Sequence, residues 1–302
     1  DAAEAKELET RITGPLLQMT SLMLHEKRAA LPYMNIIGEL CAQFRRGVLA
    51  VARELGPDEC RRRVAAWHAF CPATASSAWY PEVFDQMEQP EWRQLYVNAE
   101  HDGRVGVISI GRESYNWDVD AELNRAIDWL KTEGIRRVIV SGDFHVSTQL
   151  VGADTSDFYA ALENVEEGVR ISGDWSRTAR RLDREFEVSV GFAGGKRVLG
   201  GCLELLMHCH YLIGLDSTEL GMPEVTLPVV PGMEGCHWPF RKARPEDRPR
   251  VLRMLLEGRS VKAKDAVGWL VDFAGPLEAA LQAAWQVASG GELGIPRRKL
   301  EA

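Results

Sequence analysis

Two glycines and a glutamate stand close together in Gly200-Gly201-Cys202-Leu203-Glu204-Leu205. A second glutamate follows about twenty positions later in Gly221-Met222-Pro223-Glu224-Val225. Two carboxylates flanking one pocket suit acid–base work, because burial and mutual repulsion push one proton affinity up. A Gly-Gly step before a helix lets the backbone turn sharply and leaves the first N–H groups free. Free N–H groups at a helix start attract negative charge. Upstream, Val151-Gly152-Ala153-Asp154 offers another exposed backbone N–H, with Asp154 as a cap. Two N–H donors from separate strand-to-helix turns are what an oxyanion hole requires. Singly these features are common; their combination carries the weight.

Two rival readings fail on their own terms. Gly191 to Arg197 (GFAGGKR) has the look of a phosphate-binding loop, but Arg197 follows Lys196 where Ser or Thr must reach Mg²⁺. His208-Cys209-His210 has metal-binding residue types, yet neighbours on a helix point in different directions and no third ligand is evident.

The elements that position these groups are readable from periodicity. Val105 to Ile110 reads as a strand, Val119 to Gly134 as an amphipathic helix and Arg137 to Val140 as a second strand. That order is the signature of a parallel sheet. Val188 to Gly195 reads as a further strand, and Gly200 to Gly214 as one helix with Glu204 in its first turn. Thr218 to Val225 is a short element near a turn. Before residue 100 the texture differs. Leu8, Ile12, Leu16, Met19 and Met23 recur at helical spacing, as do Ile36, Ile37, Leu40 and Phe44. Pro32 and Gly56-Pro57-Asp58 break that pattern into separate helices, and Cys71 to Phe84 reads as an ordered linker with aromatic anchors. The expectation is an all-helical region over 1–100, without recognisable chemistry, and a second domain over 101–302.

Composition narrows the class. The 302 residues are 45% hydrophobic and 26% charged, enough to bury a core. A net charge of −8 argues against a nucleic-acid binder. No apolar run is long enough for a membrane span, and the start DAAEAKELET has no secretory pattern. The chain begins without Met, which suggests processing or excision from a longer polypeptide. Six cysteines, none in a Cys-x-x-Cys pair, suit a reducing compartment and a cytoplasmic location.

In chain order, Arg112…Asn116, Gly152-Ala153-Asp154, Gly200-Gly201…Glu204-Leu205, Gly221-Met222-Pro223-Glu224, Pro231-Gly232…Gly235 and Gly258 to Asp272 form a series of landmarks. Together they resemble the crotonase (enoyl-CoA hydratase/isomerase) superfamily, from about Gly103 to Gly290. The resemblance implies an α/β fold, a crotonase-type ββα spiral carrying an additional all-helical N-terminal region. It implies an acyl-CoA thioester substrate, with coenzyme A arriving as part of the substrate and no other cofactor or metal required. The N–H groups of Ala153 and Gly201 would hold the thioester oxygen, and Glu204 and Glu224 would act as acid and base. Arg112, Asn116, Gly152, Asp154 and Gly200 would line the CoA side. Relatives form trimers, often paired into hexamers.

The sequence also departs from that pattern. Cys202 replaces a third glycine, Gly194-Gly195-Lys196-Arg197 is unusually basic, and the loop before Gly152 is about two residues longer. Pro228 and Glu234 stand where the family often has glycine, and Glu234 would either add a third carboxylate near the pocket or lie on the surface. Hydration or double-bond isomerisation of an enoyl-CoA is the first expectation. The alternatives are a crotonase-fold thioester hydrolase, a dehydratase/thioesterase of the signalling-lipid type, or a non-catalytic domain of a fatty-acid-oxidation fusion. No GxGxxG fingerprint of a partner dehydrogenase occurs in the chain.

Overall fold

The computed structural model describes residues 1–227 and 229–291. Pro228 and the residues after 291, which close the second predicted domain, lie outside the described residues. The chain falls into two compact units, one over residues 1–96 and one from Val97 onward.

The first unit is helical: α1 (Ala2–His25), α2 (Leu31–Ala42) and α3 (Val48–Phe70), followed by short 3-10 turns. Asp1 and Glu4 form a capping box that starts α1. Helix α3 bends at Gly56, whose φ of 76° lies outside the helical region. The apolar stripe read on α1 is largely outward, since Leu8, Ile12 and Met19 are exposed while Leu17 is buried. Periodicity gave the helix but not the face.

The second unit holds the sheets. In chain order it runs β1 (Val97–His101), β2 (Gly106–Ile110), α4 (Trp117–Thr132), β3 (Arg137–Gly142), β4 (Gln149–Val151), α5 (Tyr159–Glu163) and α6 (Val165–Arg184). There follow β5 (Val188–Ala193), β6 (Arg197–Leu199), α7 (Gly200–Met207), β7 (Tyr211–Leu215) and β8 (Glu219–Gly221). The last are α8 (Trp238–Lys242), α9 (Arg248–Glu257), β9 (Val261–Lys262), β10 (Phe273–Gly275) and α10 (Leu277–Ala288).

The larger sheet has the order β1-β2-β3-β5-β7-β10 and the smaller β4-β6-β8-β9. All neighbours are parallel except β1 with β2 and β8 with β9. Strands therefore alternate between the sheets, β3 then β4, β5 then β6, β7 then β8, with α6 and α7 closing successive turns. This is a ββα spiral. Helix α10 packs Ala280, Ala284 and Val287 against Ile139, Val190, Phe192 and Ile213 of the larger sheet.

One predicted element is corrected. The helix read over Gly200 to Gly214 stops at Met207, and Tyr211–Leu215 is strand β7, paired on both sides by β5 and β10. A short apolar run looks alike in a buried helix and a buried strand, so periodicity could not separate them. Glu204 accordingly lies in the second turn of a helix of only eight residues. That helix is buried on every face and touches strands of both sheets.

Candidate active site

A cleft of about 710 Å³ opens in the second unit, lined by the loop after β4, by the start of α7, by α6, and by residues of the segment that follows Met222, among them Pro223, Glu224 and Met233. Gly152, Ala153, Gly200, Gly201, Glu204 and Glu224 all line it. The rest of the wall is mostly apolar: Phe158, Trp175, Val225, Leu227, Val229, Val230 and Met233. A second cavity, of about 840 Å³, lies within the helical unit, but its two glutamates, Glu82 and Glu91, are exposed.

Two loops meet at the start of α7. The Gly152 N–H donates to Leu199 O at 2.8 Å, and Gly152 takes a φ of 76°. Tyr115 bridges the loop by donating to Gly152 O at 2.9 Å and accepting from Asp154 N at 2.7 Å. Those bonds flank Ala153 and leave its own N–H out of the bridge. Gly201, second residue of α7, has no preceding turn to receive its N–H. A methyl group at Gly201 would lie 3.4 Å from Ala153 N, so the two N–H groups adjoin. Gly200 has a φ of 51°, and a methyl there would meet Glu224 Oε1 at 2.7 Å and Gly152 Cα at 3.1 Å. Only glycine permits both that conformation and that approach.

The two carboxylates are held differently. Glu204 is 2% exposed, and its Oε2 accepts N–H bonds from Met233 at 2.8 Å and Gly235 at 2.7 Å. Burial, and next the nearby charge of Glu224, push its pKa up to about 8 against the opposing pull of those bonds. Glu224 sits in a 3-10 turn after Pro223, is buried, and is also raised by burial. Its Oε2 has no hydrogen-bond partner among the described residues. Burial thus disfavours ionisation of both carboxyls, and the charge of Glu224 adds to that effect at Glu204. The adjoining N–H groups can receive a developing oxyanion.

The other predicted site residues stand outside the lining. Arg112 is buried, donating to Asp154 Oδ2 at 2.8 Å and to Ser114 Oγ at 2.7 Å. Asp154 also accepts from Ser156 N at 3.0 Å. Burial opposes its ionisation, but the Ser156 and Arg112 bonds prevail and hold it below the usual range. Asn116 caps α4 by accepting from Val119 N at 2.9 Å. Arg112 and Asp154 thus tie two loops together, while Asn116 serves as a helix cap.

A probable enoyl-CoA hydratase of Rhizobium meliloti (strain 1021) is 30% identical to this chain over 207 residues, spanning 63% of this chain and 74% of that relative. The chain belongs to the crotonase superfamily. A probable enoyl-CoA hydratase of Mycobacterium bovis is 30% identical over 186 residues, 56% of this chain and 64% of that relative, so the match spans a little under two thirds of its length. An enoyl-CoA hydratase crystal structure from Thermoplasma volcanium shares the fold, with a TM-score of 0.58 at 19% identity over 65% of this chain and 79% of that one. No protein-family profile matches the chain.

Against that crotonase background the departures acquire structural roles. Cys202, in place of a third glycine, donates its thiol to Gly152 O at 3.2 Å and so ties α7 to the Ala153 loop. Burial pushes that thiol up to about 12, which keeps it protonated and able to donate. Glu234 does not line the cleft but turns away from it. Trp238 is buried and packs outside the lining. Sequence reasoning missed Met233 and Gly235 as the holders of Glu204, because a backbone N–H leaves no trace in residue type. It also missed Phe158 and Trp175, whose aromatic character was the available signal.

Proposed function

We propose that this crotonase-superfamily chain is an enoyl-CoA hydratase, working on a thioester bound in the cleft of Glu204 and Glu224. The observation that carries the reading is the pair of buried carboxyls, both raised by burial, that line one largely apolar cleft beside the adjoining N–H groups of Ala153 and Gly201. The thioester oxygen accepts from both N–H groups. One carboxylate takes a proton from water as its oxygen bonds to Cβ, and the electron pair moves into a thioester enolate. The other carboxyl delivers its proton to Cα. Each proton moves between groups in the cleft, so the reading calls on no redox cofactor and no metal, and CoA enters only with the substrate. Positioned acid–base groups of this kind contribute on the order of 10²–10⁴-fold in rate. The same reading places the enzyme in the cytoplasm, consistent with six unpaired cysteines, as a trimer or hexamer.

The test is incubation with a panel of enoyl-CoA thioesters, following loss of conjugated-thioester absorbance and release of free thiol. Absorbance loss without thiol is the expected result. Thiol release matching the absorbance loss would replace hydration by thioester hydrolysis, since cleaving the thioester also destroys the conjugated chromophore, and silence in both channels would overturn the catalytic reading.

A further inference from the structure

The turn that holds Glu204 is itself held from behind. Glu234 stands between Met233 and Gly235, the two residues whose N–H groups bond Glu204 Oε2. Its φ of 67° lies in the left-handed region, which a non-glycine residue occupies only at a cost. Its carboxylate accepts from Arg180 Nε at 3.1 Å and also from Arg180 Nη2, from Trp238 Nε1 at 3.1 Å, and faces His208 Nε2 at 3.2 Å. His208 is wholly buried one helical turn after Glu204, and its Nδ1 is 2.8 Å from Glu204 O. Both ring nitrogens therefore face oxygen acceptors. The contacts form a circuit: Glu204 carboxylate, the 233–235 turn, Glu234 carboxylate, His208, and the Glu204 backbone.

The circuit has independent support. Gly232 O accepts from Ser172 Oγ at 2.6 Å and Ser176 Oγ at 3.3 Å, so α6 holds the start of the turn as well as Glu234 within it. The His208 and Arg180 bonds hold the Glu234 carboxyl far below the usual range, so it stays ionised and bonded. A glycine would suit the backbone better, yet the position carries the one side chain that reaches Arg180, His208 and Trp238 together.

We infer that Glu234 is a positioning residue: by clamping the 233–235 turn to Arg180, His208 and Trp238, it fixes the two N–H donors that seat the Glu204 carboxyl. This rests on the reading of Glu204 as one of the acid–base pair. The ionisable groups that act on Glu204 besides this circuit are Glu224, Cys236 and, on its own helix, Cys202.

The deciding variant is Glu234→Gly, which keeps the backbone conformation and removes the carboxylate. Using the full chain labelled with ¹³C at glutamate carboxyls, the Glu204 resonance is identified by its loss in Glu204→Gln and titrated in each protein. In Glu234→Gly the Glu204 carboxyl should titrate about one pH unit higher, because the N–H bonds that favour the carboxylate weaken. On enoyl-CoA, kcat should fall about 10²-fold with KM changed less than about twofold, the expected effect of a misplaced catalytic group. Glu234→Asp should recover part of both. If Glu234→Gly does not fold, Glu234→Gln carries the same readouts. A Glu204 titration curve and Met233 and Gly235 amide shifts matching wild type would overturn the clamp. A shifted titration in a protein that hydrates no enoyl-CoA would sustain the clamp and sink the hydratase reading instead.

Discussion

The Gly235 N–H donates to Glu204 Oε2 at 2.7 Å, and a methyl group at Gly235 would stand 2.7 Å from that same oxygen. Backbone and side chain are in contact there with no room for a Cβ, so the placement of one carboxyl depends on a glycine 31 residues away. Gly200 leaves as little room beside Glu224 Oε1, where a methyl group would also stand at 2.7 Å.

Gly235→Ala should therefore lower kcat by about 10²-fold or more while the fold survives. Gly200→Ala should cost as much activity and also stability, since its φ of 51° disfavours any side chain. Steady-state kinetics beside thermal melts check both. Activity near wild type in Gly235→Ala would mean that Glu204 can move without consequence.

Glu204→Gln should lower turnover by about 10²–10⁴-fold yet leave binding of a saturated acyl-CoA within a few-fold, because the amide keeps the shape and loses the proton chemistry. Glu224→Gln should behave alike. Calorimetric titration with the saturated ester separates binding from turnover.

Stability should fall as pH rises. The folded pKa of Glu204, about 8, lies above the ordinary glutamate value of 4.5. Folding thus favours the protonated form, and that contribution is complete below about pH 4.5 and lost as pH climbs towards 8. Between those limits Glu204→Gln should become progressively more stable than wild type, by an amount on the order of a few kcal/mol near pH 8. Urea melts at pH 5, 7 and 8.5 measure this. Parallel curves for the two proteins would show that Glu204 ionises freely.

Apolar residues dominate the cleft wall, with Val225, Leu227, Val229 and Val230 along one side. Each CH₂ added to the acyl chain should raise kcat/KM about fourfold until the cleft is full, at about 0.8 kcal/mol per buried CH₂. Leu227→Asp should flatten that dependence. Kinetics on a series from four to ten carbons test it.

Cys60, Cys202 and Cys209 are buried, with burial pushing each thiol up to about 12. Cys41 and Cys236 are exposed. Brief alkylation of the native protein followed by mass spectrometry should mark Cys41 and Cys236 and spare the three buried thiols.

The sequence alone located Gly152-Ala153, Gly200-Gly201, Glu204 and Glu224, because each lies in a short motif at a strand or helix boundary whose residue types serve a local backbone need. It also determined the α/β class, through the strand–helix–strand order over residues 105–140. Only the tertiary structure decided where α7 ends, because Tyr211–Leu215 becomes a strand by pairing with β5 and β10. Only the tertiary structure brought Arg180 to Glu234 across 54 positions and Met233 to Glu204 across 29. Contacts of that span arise from the packing of a helix between two sheets, and local periodicity carries no record of which distant loop will arrive there.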